Sequence, residues 1–182
     1  MIKYGGERNL TKISLYCPDV DDYWYEAMIL SDPLSMSYNA GYNVSYEGYN
    51  KENGCINFPK NKWLNKYNKR KHNGDYFAYI KDNDINEYIG YVNYQYNKND
   101  KRYECGILIE AKYRGHGYAV PALKLLCEEA KKNKISELYD SFEMTRKNTL
   151  EVFLSAGFSI VSYQKWLKST AMVDGVVVKI TL

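Results

Sequence analysis

The chain has 182 residues, with 25 Lys and Arg against 22 Asp and Glu, for a net charge of +3. A balance that small argues against nucleic-acid or membrane-surface binding, and no apolar run is long enough to span a bilayer. At this length the simplest reading is one domain, 1–182, large enough to bury a real core. The 20 tyrosines are unusual. Codon bias explains them most simply, and a Tyr-lined ligand groove is the alternative. The four cysteines (Cys17, Cys55, Cys105, Cys127) are far apart with no C-x-x-C pair, which reads as free thiols in a reducing compartment. With only His72 and His116 present, no metal site is expected. No G-x-S-x-G elbow is present. The start, MIKYGGERNL, lacks an apolar leader pattern, so a cytoplasmic location is expected.

Leu10–Cys17 reads as a first strand broken by Pro18. Asp19–Leu30 reads as a helix whose opening acids, Asp19, Asp21 and Asp22, suit a cap and the macrodipole. Drawing in a cationic substrate is their functional alternative. Ser31–Pro59 is a long segment rich in turn formers, the kind that serves as a lid or binding loop. Its Tyr38, Tyr42, Tyr46 and Tyr49 either wall a pocket or pack the loop onto the body. Lys60–His72 reads as a helix with Trp63, Leu64 and Tyr67 on one face and its Lys and Arg solvated. Asp75–Lys81 and Glu87–Tyr96 form a hairpin around the turn Asp82–Asn86. Lys101–Ile109 adds a third antiparallel strand. Further on come a strand at Ser136–Glu143, a helix at Lys147–Ser155 stopped by Gly157, a strand at Phe158–Leu167 and a last one at Gly175–Leu182. This order predicts a mixed α/β (α+β) sheet.

The centre of the chain is Ile107–Ala130, an apolar strand end, a basic glycine loop, then a helix with Ala119, Leu123, Leu126 and Ala130 on one face. Strand, glycine loop and helix N-terminus together make a place for a phosphate. The first helical turn offers unpaired N–H groups and a positive dipole end, and Gly115 and Gly117 let the backbone come close. Lys112 and Arg114 add charge beside it. A Walker A loop needs Gly-Lys-Ser/Thr, which is absent, and a dinucleotide fingerprint would need Gly or Ala where Val120 stands. The remaining pattern is R-x-x-G-x-A, from Arg114, Gly117 and Ala119.

With that pattern the chain resembles the GCN5-related N-acetyltransferase (GNAT) superfamily. The resemblance also covers Glu104 and Gly106 in the preceding strand, the Ile89-Gly90-Tyr91 hairpin, and the run Asn148-x-x-x-x-Phe153-x-x-x-Gly157-Phe158. It spans roughly half the chain, and divides it into a variable substrate-facing part, 1–73, and a cofactor core, 74–182. It implies a GNAT-type fold, a largely antiparallel sheet of six or seven strands with a central parallel pair splayed at the acetyl-CoA site and about four flanking helices. It implies an N-acetyltransferase moving an acetyl group from acetyl-CoA to a primary amine by direct attack, with no metal. The implied cofactor contacts are Ile107, Leu108 and Ile109 against the pantetheine, Arg114, Gly115, His116, Gly117, Tyr118 and Ala119 around the pyrophosphate, and Asn148 on the cofactor arm. Glu104 takes the general-base position. The position from which the family's Tyr often protonates the leaving thiolate holds Phe153, leaving Tyr139 or Tyr163 as stand-ins. The expected partner is a small-molecule amine or a peptide amine, with no nucleic acid and no membrane, and a homodimer is allowed for. The alternatives are a protein N-terminal or lysine acetyltransferase, and a non-catalytic acyl-CoA-binding module.

Overall fold

The computed structural model describes residues 12–182. The expected strand over Leu10–Cys17 is seen as β1, Ile13–Tyr16, and its first two residues lie outside the described range. After it, Val20–Tyr23 forms a 3₁₀ turn that runs into α1, Trp24–Ser31. The Asp19 N–H donates to Asp22 Oδ2 (3.1 Å), so these acids cap the turn. Pro33–Met36 forms a single short turn, α2, capped by the Asp32 carboxylate, which accepts from the Leu34 and Ser35 N–H groups (both 3.0 Å).

The helix α3 spans Trp63–Asn73 and ends on Gly74 in the left-handed region. Trp63 is buried and Tyr67 half-buried, but Leu64 is exposed, because one residue turns the helix about 100° away from the Trp63 face. The expectation that all the basic residues of α3 are solvated is also corrected. Lys66 and Arg70 share the Trp63 face and turn inward onto Glu26 of α1.

Among the described residues seven strands, numbered in chain order, form one sheet in the order β1-β2-β3-β4-β5-β7-β6. The strands β2 (Tyr76–Asp82), β3 (Glu87–Asn97) and β4 (Arg102–Ile109) form the expected antiparallel meander. A Cβ at Gly90 of β3 would lie 2.1 Å from Leu108 O, so this crossing needs glycine. The helix α4 (Ala119–Lys132) then leads to β5 (Glu137–Glu143), α5 (Lys147–Ser155) and the hairpin of β6 (Ser159–Lys168) and β7 (Ala171–Thr181). That hairpin is longer than its sequence suggests. Ser169, with φ of 55°, turns the chain within two residues, and the Ala171–Asp174 segment pairs back onto β6.

The sheet has a hydrophobic layer on each face. Leu123, Leu126 and Ala130 of α4 and Phe153 of α5 are buried against Ile80, Val92, Leu138 and Val178. On the other face Tyr25 and Ile29 of α1 and Trp63 of α3 pack on Phe77, Tyr79 and Leu108. Glu26, buried between α1 and α3, accepts from Lys66 Nζ (2.7 Å) and from both terminal nitrogens of Arg70 (2.8 Å each). The Arg70 guanidinium lies 3.6 Å from the Phe77 ring centroid, which joins the ion pair to the aromatic layer. Among the described residues no helix is long and apolar enough to cross a membrane.

Candidate active site

One parallel pair interrupts the antiparallel order. The strands β4 and β5 share a single bridge, Glu104 with Tyr139, and then separate toward their C-terminal ends. Beyond that bridge Glu110 donates its N–H back to Ile89 O on β3 (3.0 Å). Backbone groups alternate sides along a strand, so those of Ile107 and Ile109 point the other way, into the gap between β4 and β5. The result is a short strand edge with no neighbouring strand, at the centre of the sheet.

The glycine loop closes one end of this gap. Gly115 and Gly117 have φ of 79° and 82°, a region that favours glycine. A Cβ at Gly115 would meet nothing within 4 Å, so the loop faces open space. The first backbone bond of α4 is Ala122 N–H to Tyr118 O (3.1 Å). Among the described residues the N–H groups of Gly117, Tyr118, Ala119 and Val120 take no protein acceptor, which leaves an array of donors at a helix N-terminus. Tyr118 is fixed by donating to the buried Asp82 carboxylate (2.5 Å).

A cavity of about 630 Å³ joins the splayed strands to this loop. Of the predicted cofactor residues, Ile107, Leu108, Ile109, Arg114, Gly115, Gly117, Tyr118, Ala119 and Asn148 all line it. His116 belongs to the same loop, stacks on Tyr118 with ring centroids 6.2 Å apart, and has Nδ1 3.0 Å from Arg114 O. Glu104 is not in the cavity wall. Its carboxylate is held by Arg102, through Nε (3.2 Å) and Nη2 (3.0 Å), near the bridge where the two strands meet.

The basic side chains of the loop do something other than the sequence suggests. The Arg114 guanidinium reaches away to donate to Ile109 O (3.1 Å), Leu34 O (3.1 Å) and Ser35 O (2.7 Å). Ser35 Oγ in turn accepts from the Ala111 N–H (2.9 Å). Arg114 therefore clamps α2 to the glycine loop, while Lys112 pairs with Glu110 (3.2 Å).

Of the four loop tyrosines read as walling a pocket or packing the loop, one lines the cavity, and Arg146 and Val152 line it without having been singled out. Tyr38, just after α2, closes the cavity from the long loop. Arg146, at the start of α5, places its guanidinium 4.7 Å from the Tyr38 ring centroid. Val152 continues the α5 face that begins at Asn148, and that i, i+4 spacing is a signal the sequence does contain. The other loop tyrosines have different tasks. Tyr42 donates to Glu143 and Tyr49 to Asn39 O (2.7 Å), while Tyr46 is exposed. The two stand-ins for the missing phenol also lie elsewhere. Tyr139 donates to Glu137 (2.9 Å) and Tyr163 is 64% exposed.

A splayed parallel pair beside donor groups at a helix start suits an extended, phosphate-bearing acyl carrier. A family profile described as an acetyltransferase (GNAT) domain matches residues 10–159. The chain belongs to the GNAT acetyltransferase family, and it is an acetyl-CoA-dependent N-acetyltransferase. No curated protein sequence matches it significantly.

Solved structures share the fold at low identity. Spermidine N-acetyltransferase from Vibrio cholerae, in complex with CoA and spermine, is similar with a TM-score of 0.74 and 16% identity, over 94% of this chain and 96% of that one. A phosphinothricin acetyltransferase from Sinorhizobium meliloti, in complex with acetyl-CoA, is similar with a TM-score of 0.73 and 14% identity, over 94% and 89%. A ribosomal-protein-alanine N-acetyltransferase from Brucella melitensis is similar with a TM-score of 0.69 and 16% identity, over 93% and 99%. Enzymes named for small amines and for a protein thus share this architecture, so the fold leaves the acceptor open. Among the described residues no cluster of three or more His, Cys, Asp or Glu could hold a metal ion.

Proposed function

We propose that the chain acetylates a primary amine on a small molecule, with acetyl-CoA held along β4 and over the glycine loop. The observation that carries this reading is the path of the long loop. From α1 it runs past the splay, where Arg114 pins Leu34 and Ser35. It continues to the tip of the β6–β7 hairpin, where the Ser169 N–H donates to Gly41 O (2.7 Å) and Asn43 Nδ2 donates to Ser169 O (3.0 Å). Tyr42 and Lys168 both bond Glu143 at the end of β5. Secured at both ends, the strap covers the acceptor side, which favours a compact acceptor over an extended peptide.

In this reading the N–H groups from Gly117 to Val120 receive the pyrophosphate. The Ile107 backbone groups and the Ile109 N–H pair with the pantetheine amides as an added strand would, and Asn148 contacts the same arm. The Ile107 N–H stabilises the thioester oxyanion in this reading. The acceptor must react as a neutral amine, since an ammonium has no lone pair. Glu104 takes its proton through a water, because the carboxylate stands outside the cavity wall.

The deciding experiment is thiol release from acetyl-CoA against polyamines, aminoglycosides, amino acids and peptides with free N-termini or lysines. Turnover on one small-amine class with none on peptides is expected. Turnover confined to peptides would overturn the small-acceptor reading and leave the donor unaffected.

A further inference from the structure

Arg146 follows the turn after β5, opens α5 and lines the cavity half-buried. Its guanidinium lies 4.7 Å from the Tyr38 ring centroid and 5.8 Å from that of Phe142. Among the described residues it takes no hydrogen-bond acceptor and pairs with no carboxylate. The other described arginines are all engaged, Arg70 on Glu26, Arg102 on Glu104 and Arg114 on the carbonyls of Ile109, Leu34 and Ser35. A guanidinium carries five N–H donors in a planar fork and does not give up its charge. At the cavity wall those donors have only water or a ligand to meet.

The carboxylates of this region are in the opposite condition. Glu104 is held by Arg102 (3.0 Å), Glu110 by Lys112 (3.2 Å) and Glu143 by Lys168 (2.6 Å). Burial pushes the Asp140 carboxyl of β5 up to about 7, opposed by the Ser141 N–H (2.7 Å) and by the charge of Arg146, to which it is not bonded. Near neutrality it is only a partial counter-charge. Of the other charged residues in the cavity wall, Arg114 is turned onto α2, and Glu151 is exposed further along α5. The unanswered charge at the cavity is therefore positive. The N–H groups of the glycine loop already offer the cofactor's pyrophosphate a site. Arg146 packs instead on Tyr38, which belongs to the strap over the acceptor side.

We propose that Arg146 reads a carboxylate on the acceptor, so that the substrate is an amine of the amino-acid type and not a polyamine. The fork donates two N–H groups to the two carboxylate oxygens, a pairing that a lysine in its place would not reproduce. The Tyr38 ring backs the guanidinium and limits the positions it can take. A polyamine would bring a further ammonium beside an unpaired guanidinium in a partly desolvated wall, and that repulsion selects against it. The inference rests on the small-acceptor reading above and deepens it by naming the second group the acceptor carries.

Two measurements test it. Thiol release is followed with free amino acids, with their carboxamides and with the matching decarboxylated amines. The acids should turn over with kcat/KM about 10²-fold or more above that of their carboxamides. Arg146→Gln should bring the acids down to the carboxamide level through KM, leave the carboxamides unchanged and keep acetyl-CoA affinity within a few-fold by calorimetry. Arg146→Lys, which keeps the charge without the fork, should fall between. Polyamines or decarboxylated amines turned over ahead of the acids overturn the inference and leave the small-acceptor reading standing, whereas turnover confined to peptides overturns that reading as well. Nitrogen-15 NMR of the arginine side chains, assigned with Arg146→Gln, answers without turnover. In the CoA-bound enzyme the Arg146 Nε–H signal should shift when a mixture of free amino acids is added and stay still with their carboxamides. A signal that CoA alone moves and amino acids do not would give these donors to the cofactor and refute the proposal, and a signal indifferent to both refutes it too.

Discussion

Removing the Glu26 carboxylate tests whether α1 and α3 are held together by one buried ion cluster. The Glu26 side chain is only 3% exposed, and it takes three short contacts from Lys66 and Arg70, which are 23% and 17% exposed. In Glu26→Ala, Arg70 stays trapped against Phe77 with no counter-charge. Breaking one side of a buried pair typically costs about 3–5 kcal/mol. For a chain of this size each kcal/mol lowers Tm by about 2–4 °C, so a fall of about 6–20 °C is expected. Denaturant unfolding followed by tyrosine and tryptophan fluorescence reads the cost directly.

The pH dependence gives a second check. Burial alone would raise the Glu26 pKa, but Arg70 and Lys66 outweigh it and hold it below its ordinary 4.5. A depressed folded pKa means that the contribution is fully present above the unfolded value and fades as pH falls through the folded one. The gap between wild type and Glu26→Gln should therefore be constant near neutrality and shrink below about pH 4. A loss under about 1 kcal/mol, or a gap that ignores acid, would show that the cluster is not what joins α1 to α3.

Two further changes address the site. Gly117→Val puts a β-branched side chain at φ of 82° beside the donor array, so acetyl-CoA binding measured by calorimetry should be abolished, and wild-type affinity would remove the loop from the donor site. Glu104→Gln should lower turnover about 10²-fold or more at neutral pH and recover partly at high pH, where the amine loses its proton unaided. Unchanged rates across the pH range would leave Glu104 only its pairing with Arg102.

The glycine loop and the helix after it were legible because their signals are local. A glycine loop at a helix start needs a φ that few residues adopt, and the apolar spacing of Ala119–Ala130 marks the helix that follows. The splay itself was reached through the family resemblance. Of the two breaks in the periodicity reading, one was local and one had a tertiary cause. Leu64 was read on the Trp63 face and is exposed, since consecutive residues of a helix lie about 100° apart; Lys66 and Arg70 were read as solvated and turn inward, because a carboxylate some 40 residues away draws that face of α3 onto α1.

The sequence alone led to the reaction class, through its resemblance to a family, and to a glycine loop at a helix start, because the motifs behind both are short stretches of chain. Tertiary structure decided the destinations of long side chains. The Arg114 guanidinium serves the carbonyls of α2 instead of adding charge at the loop. Tyr38 and Arg146, over 100 positions apart, meet across the cavity. Such positions depend on which segments the sheet order makes neighbours, and no local spacing encodes that.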